Sequence, residues 1–241
     1  MRLAVKTGAW SPSPTEWKLA TDILEHCEPH ELARILRLKI EEDRKRSLTG
    51  RLLLRHVCSI QSGLPFNKVR LERTPQNKPI CLDIKQGQVN ISHHGDWVVV
   101  ASDPERYIGV DVMKFEEPRR GRETFFNSMK RQFTPKEWEE IDNSLEQFYT
   151  FWSLKESYIK GIGVGLGFNL QRASFTIKDK MAEVEIDGVL NRDWSFQLSK
   201  LDPMHVVAVA LGPKVEGQSD VPSAIPFRSL EFSELLALFQ I

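Results

Sequence analysis

An α+β fold built from two similar halves is what this chain of 241 residues predicts, and three observations carry that prediction. Helical segments with apolar residues at spacings of three and four open each half. Short alternating strands separated by tight turns follow them, the pattern of antiparallel hairpins. The order then recurs: GRLLLRHVCSIQSG before NISHHGDWVVVAS is echoed by SLKESYIKGIG before DWSFQLSKLDPMHVVAVAL. No short-period repeat underlies the echo. The boundary falls close to 107, with an N-terminal α+β half over 1–107 and a C-terminal α+β half with a tail segment over 108–241.

In chain order, residues 15–27 and 29–46 read as helices, each opening near a Pro or Thr start signal. Residues 47–63 continue in helix with Leu52, Leu53, Val57 and Ile60 on one face, and Gly63 stops it. RTPQNKPICL at 73–82 is a turn punctuated by Pro75, Asn77 and Pro79. The clearest strands follow at 89–93, 97–103 and 108–112. As a meander of neighbours they place His93 and Asp111 at one sheet end, two strand spacings or roughly 10 Å apart. Residues 116–133 read as a loop with a short helix. Thr134-Pro135 with Glu137 opens a capped helix to about 144, and a longer helix covers 148–162 before glycines at 161, 163, 165 and 167. Strands are expected at 173–178, 182–186, 193–199 and 205–211. A linker-like stretch covers 212–226, and 227–239 reads as a terminal helix.

Charge and composition narrow the classes. There are 33 Lys+Arg and 33 Asp+Glu, a net charge of zero, with 41% hydrophobic and 27% charged residues. That balance suits an ordinary globular protein and argues against a dedicated nucleic-acid binder or a polybasic membrane binder. No apolar run approaches the roughly 18 residues needed to span a bilayer. The N-terminal apolar stretch is too short for a secretory signal, and Trp10, Pro12 and Glu16 fit a transit peptide poorly. Cys27, Cys58 and Cys81 form no CxxC pair, so they read as buried thiols in a reducing compartment. The expectation is a soluble cytoplasmic (cytosolic) protein with no nucleic-acid or membrane partner.

Four constellations bear chemistry. Glu156 and Lys160, spaced i,i+4, meet on one helix face; such a pair is ordinarily a surface salt bridge worth a few tenths of a kcal/mol. Here it lies among Phe148, Tyr149, Phe151, Trp152 and Tyr158 and just before a glycine-rich turn, so a buried Glu flanked by Lys155 and Lys160 is a candidate for metal ligation or proton transfer. His93 and His94 in NISHHGD point to opposite faces of an extended segment and are poor joint ligands for one zinc ion; read alone, either is a packed or hydrogen-bonded histidine. Arg73 and Lys78 frame the proline-bounded turn as solvated loop charge or as a phosphate clamp. Asp111 in GVDV caps a turn or binds a hard cation.

Other patterns are excluded. The glycine series follows a helix, so it is not a Rossmann fingerprint, and no Walker A loop exists. Ser92 is not in a G-x-S-x-G elbow. The Asn90-Ile91-Ser92 sequon has no secretory signal to serve it. His26, Cys27 and His30 are interrupted by Pro29 and lack a distant ligand pair. The functional readings that remain converge on transfer of a phosphoryl-type group from a charged donor.

RTPQNKP at 73–79, NISHHGDW at 90–97, GVDV at 109–112 and FWSLKESYIKGIGVGL at 151–166 together resemble the 4′-phosphopantetheinyl transferases of the larger, surfactin-synthetase-activator type. The likeness runs through most of 8–211 and is strongest to the animal branch, the aminoadipate-semialdehyde dehydrogenase phosphopantetheinyl transferases. It implies a pseudo-two-fold monomer of two α+β subdomains with the active site at their interface. It also implies transfer of the 4′-phosphopantetheine arm of coenzyme A to a serine of apo acyl or peptidyl carrier proteins, with Mg²⁺ as cofactor and 3′,5′-ADP released.

Carried onto this sequence, the resemblance implies that Arg34, Arg73, Lys78, Ser92 and His93 hold the nucleotide and phosphates. The flanking Thr74, Pro75, Gln76, Asn77, Asn90 and Ile91 belong to the same binding segments, and Lys155 adds charge. Asp111 and Glu156 would bind the metal. Glu156 would deprotonate the carrier serine directly or through water, and Lys160 would neutralise or protonate the leaving phosphate. Many bacterial relatives have a carboxylate two residues after the aspartate; Met113 stands there, a poor magnesium ligand. Arg119–Arg122 and Lys130–Arg131 are candidate carrier-facing clusters. The alternative is a catalytically silent coenzyme A or carrier-protein binding module of the same fold.

Overall fold

The computed structural model describes residues 1–8, 10–75, 78–84, 88–119, 121–214 and 224–239, with the side chain of Leu166 excepted. The chain falls into two units, Met1–Pro104 with Ile225–Ile241, and Glu105–Ala224. The first opens with β1 (Arg2–Lys6), α1 (Pro14–Cys27), α2 (Pro29–Leu36) and α3 (Glu41–Ser62), and continues through β2 (Leu71–Arg73), β3 (Pro79–Cys81), β4 (Gln88–His94) and β5 (Trp97–Asp103). The second holds β6 (Arg106–Lys114), α4 (Arg122–Met129), α5 (Pro135–Ile141), α6 (Leu145–Ile162), β7 (Ala173–Lys178), β8 (Met181–Ile186), β9 (Val189–Leu190), β10 (Ser195–Asp202) and β11 (His205–Lys214). The chain then returns to the first unit as β12 (Arg228–Leu230) and α7 (Phe232–Ala237). The fold class is α+β.

In the first unit the sheet order is β12-β1-β5-β4. Helix α3 buries Leu48, Leu52, Leu53 and Val57 against β4 and β5. It approaches so closely that a Cβ on Gly50 would stand 2.9 Å from Cδ1 of Ile91. Arg51 and Arg55 of α3 both pair with Glu28, and Arg55 also donates to the carbonyl oxygens of Phe66 and Val69. Those bonds fix the chain as it enters the β2–β3 hairpin. Helix α1 begins with a capping box: the Ser13 side chain accepts from the Glu16 N–H, and the Glu16 carboxylate accepts from the Ser13 N–H at 2.8 Å.

In the second unit the sheet order is β6-β11-β10-β8-β7, with β9 on β8. Helix α6 lies across β6 and β11. The aromatic cluster of Phe126, Phe133, Phe148, Phe151, Phe175 and Phe196 fills the space between helices and sheet. Helix α6 ends where the Gly163 backbone turns left-handed at φ 75°, a conformation that glycine adopts without a Cβ clash.

Several expectations change. The three-stranded meander does not form: β5 pairs with β1 and β4, whereas β6 pairs with β11 in the other sheet. The His93–Asp111 spacing deduced from that meander therefore falls. The helical stretch expected to run from 29 to 46 breaks, because Ile40 takes extended backbone and Glu41, Glu42 and Asp43 place three carboxylates at the positive end of a new helix. The 73–82 turn is the tip of a short hairpin, with Arg73 opposite Pro79. Strands β1 and β12 were not anticipated. Part of the terminal helix is instead β12, a parallel neighbour of β1, so the tail expected with the C-terminal half is packed on the first unit.

Candidate active site

The second unit brings Asp111, Glu156 and Lys160 together through two glycines. A Cβ on Gly109 would stand 1.9 Å from the Ser157 carbonyl oxygen and 2.5 Å from the Gly161 nitrogen, so β6 accepts the backbone of α6 only because residue 109 has no side chain. Strand alternation puts Asp111 on the same face as Gly109. There Asp111 is 4% exposed, and its Oδ1 accepts from Lys160 Nζ at 2.6 Å. Lys160 was expected beside Glu156; it crosses instead from α6 to β6 and acts on Glu156 electrostatically.

Glu156 is half-buried on the same helix. Its carboxylate has no hydrogen-bond or ion-pair partner among the described residues. Burial pushes its pKa up, the Asp111 charge pushes it further, and Lys160 opposes both. Two hard carboxylates, one buried and one without a protein donor, are a donor set that fits a divalent cation which keeps its own waters and takes phosphate oxygens. Met113 packs instead against the apolar core. Among the described residues no group of three or more His, Cys, Asp or Glu is arranged to hold a metal.

Lys155 is a correction. It was expected to add charge for coenzyme A, but it is 1% exposed. Its ammonium meets Glu137 Oε2 at 2.8 Å and the carbonyl oxygens of Leu170 and Ala173 at 2.9 and 2.6 Å. Three acceptors satisfy its three protons. Burial lowers its pKa and Glu137 partly restores it. Glu137, fully buried, also accepts from the N–H groups of Thr134 at 2.8 Å and Phe175 at 2.9 Å. Lys155 thus joins α5, α6 and β7 and does not face a ligand. Sequence reading identified Glu137 as a helix cap and missed its ion pair.

In the first unit, Arg34 of α2 and Arg73 of β2 converge on one atom, Glu31 Oε1, at 2.6 and 2.7 Å. Glu31 was not singled out from the sequence; the i,i+3 spacing to Arg34 was its only signal. Burial would raise its carboxyl, yet the hydrogen bonds from Arg34 and Arg73 outweigh burial and hold it at about 2. Thr74 closes the hairpin: its N–H donates to the Lys78 carbonyl at 2.8 Å, and its Oγ1 accepts from the Lys78 N–H at 3.2 Å. Pro75 is exposed, Lys78 is half-buried with its pKa lowered by burial, and Gln76 and Asn77 lie outside the described residues.

Along β4, alternation separates the expected ligands. Asn90 and Ser92 lie on one face, and Ile91 and His93 on the other. Asn90 and Ser92 are buried and His93 is exposed. Ile91 packs on Gly50 of α3, with its side chain partly buried against the first unit's core. Arg46 of α3 was not singled out, yet it donates to the Gly95 carbonyl at 2.9 Å and fixes the turn that follows His94.

Comparison with known proteins converges with this geometry. The family described as "4′-phosphopantetheinyl transferase, N-terminal" matches residues 8–105, and the "4′-phosphopantetheinyl transferase superfamily" matches residues 107–210. The chain is 39% identical to the rat L-aminoadipate-semialdehyde dehydrogenase-phosphopantetheinyl transferase across 98% of this chain and 85% of that protein. It is 38% identical to a phosphopantetheinyl transferase of Thraustochytrium across 86% of this chain and 77% of the other. With the 4′-phosphopantetheinyl transferase Sfp of Bacillus subtilis it shares 29% identity across 74% of this chain and 80% of that one. Asp111 and α6 lie within the matched superfamily region, and this chain belongs to the 4′-phosphopantetheinyl transferase family.

Proposed function

We propose that this chain moves the 4′-phosphopantetheine arm of coenzyme A onto a serine hydroxyl of an apo acyl or peptidyl carrier protein and releases 3′,5′-ADP. The observation that carries the proposal is Glu156, a half-buried carboxylate without a protein donor beside buried Asp111. A carboxylate so placed accepts the serine proton, directly or through one water. The serine oxygen then attacks the phosphorus next to the pantetheine arm, and the bond to the departing 3′,5′-ADP breaks. Lys160, an ammonium at the same site, neutralises the charge that grows on the leaving phosphate. In the first unit, Arg73 and Lys78 supply cations for the phosphates, with Ser92 and His93 as polar neighbours on β4.

Asp111 and Glu156 would hold a Mg²⁺ ion, which when bound supplies charge stabilisation at the phosphate oxygens. The enzyme acts as a monomer in the cytosol. A silent coenzyme A or carrier-binding module is the rival, and the chain's possession of Asp111, Glu156 and Lys160 together disfavours it, since binding alone needs no proton acceptor.

The test is intact-mass spectrometry of an apo acyl carrier protein incubated with this protein, coenzyme A and Mg²⁺, beside an EDTA control. A metal-dependent gain of one phosphopantetheine arm on the carrier serine is expected. Coenzyme A binding by calorimetry without any transfer would replace the proposal with the silent module.

A further inference from the structure

Trp194 stands where the sheet of the second unit meets the last turn of α6. The turn before it is tied to the sheet: the Asn191 N–H donates to the Val184 carbonyl oxygen at 2.9 Å, and Asn191 Oδ1 accepts from the Asp193 N–H at 3.0 Å. Trp194 then lies one position beyond the Ser195–Leu211 pair of β10 and β11, which sets it beside Gly212. Phe196, two residues on and so on the same face, is fully buried in the core between helices and sheet. The half-buried indole accordingly points from the sheet toward α6.

Two glycines make room for that one ring. A Cβ on Gly212 would stand 2.7 Å from Trp194 Cζ2 and 2.8 Å from Cη2, and a Cβ on Gly161 would stand 2.6 Å from Cζ3 and 2.7 Å from Cη2. Neither glycine has left-handed backbone, so what a side chain there would violate is space. Tyr158, three residues before Gly161 on α6, meets the indole edge to face, with ring centroids 5.1 Å apart at 85°. The far wall is fixed as well, since the buried guanidinium of Arg106 on β6 donates to the Gly212 carbonyl oxygen at 3.2 Å. Gly161 thus meets both the backbone of Gly109 and the indole of Trp194.

We infer that Trp194 is a positioning residue for the transfer: its indole fixes the last turn of α6 and, through it, the reach of Lys160 to Asp111. The inference rests on the role given to Lys160 under the proposed function. Lys160 immediately precedes Gly161, and its ammonium stands 2.6 Å from Asp111 Oδ1. Removing the far ring of the indole leaves a gap against Gly161, and a helical turn that shifts into it carries Lys160 along. A misplacement of about 1 Å is enough to cost on the order of a hundredfold in rate.

The experiment compares Trp194→Phe, whose shorter ring falls short of both glycines, with the parent by carrier mass, at a temperature where circular dichroism shows both folded. The kcat falls by about tenfold or more, while KM for coenzyme A holds within about twofold. In a Lys160→Met background the same substitution costs less than about twofold, because the lysine it positions is gone. Equal costs in the two backgrounds overturn the inference and leave the role of Lys160 standing. Undiminished transfer by Lys160→Met alone overturns that role and the inference together.

A second measurement does not depend on transfer. Acetic anhydride under native conditions, read by mass spectrometry, labels Lys160 faster in Trp194→Phe than in the parent, while buried Lys155 stays protected in both. Equal labelling of Lys160, or labelling of Lys155 as well, overturns the inference. The double variant Trp194→Phe/Gly161→Ala refills the gap, since the next atom that the added methyl meets is the Gly109 nitrogen at 3.5 Å. It recovers part of the lost rate and slows the labelling of Lys160 again; a double variant no better than Trp194→Phe overturns the inference.

Discussion

Gly109 and Ser157 touch through their backbones: a Cβ on residue 109 would stand 1.9 Å from the Ser157 carbonyl oxygen. The contact involves no functional side chain, yet it sets the distance between α6 and β6, and hence between Lys160 and Asp111.

Gly109→Ala therefore forces the helix off the strand. Overpacking of this kind costs about 1–3 kcal/mol, and more where backbone is the obstacle. The urea midpoint should fall at unchanged slope, with transfer activity lost at temperatures where the variant is still folded. A variant as stable as the parent would mean that the close approach is not needed.

Glu156→Gln separates chemistry from folding. The amide keeps the shape and cannot take a proton, so transfer should fall by at least about a hundredfold, the usual share of a general base, while the thermal midpoint holds. Undiminished turnover, measured by carrier mass, would remove Glu156 from the role assigned to it.

The opposite split is expected at the buried pair. Lys155→Met leaves Glu137 without its cation, and breaking a buried pair in this way costs about 3–5 kcal/mol. The double variant Lys155→Met/Glu137→Gln should recover part of that loss in a double-mutant cycle. Coenzyme A affinity, measured on the folded fraction, should be unchanged; a drop in affinity without loss of stability would return Lys155 to the ligand.

The Glu31 carboxyl supplies a pH dependence. Its folded pKa of about 2 lies below the ordinary value of 4.5, so the folded state binds its proton less readily than the unfolded state does. Its stabilisation is full above pH 4.5, declines as pH falls, and is gone below about 2; at most it is on the order of 3 kcal/mol. Glu31→Gln should differ in stability from the parent at neutral pH, with the gap closing through that acid window. A gap that stays constant with pH would show that Arg34 and Arg73 do not act on the charge.

Sequence analysis reached much of this site because its signals are local. A capping box, a left-handed glycine stop and an i,i+4 pair each involve residues within a few positions of one another, and the Thr134–Glu137 cap and the Gly163 stop occur as the local rules require. Strand partnership is not local. Residues 97–103 and 108–112 follow one another at a spacing that suits a hairpin, and only the competition for neighbours sends β5 to β1 and β6 to β11.

Helix α6 shows where the division lies. Successive helical residues are turned by about 100°, so WSLKESYIK by itself determined that Glu156 and Lys160 share a face. Which face meets β6 and which meets α5 was decided by the tertiary structure. Gly109 lets α6 settle on β6 in one orientation, delivering Lys160 to Asp111, and the buried carboxylate of Glu137 takes Lys155. A lysine's ammonium goes to whichever acceptors the packed chain places within its reach, and Asp111 and Glu137 come within reach only when β6, α5 and α6 pack together.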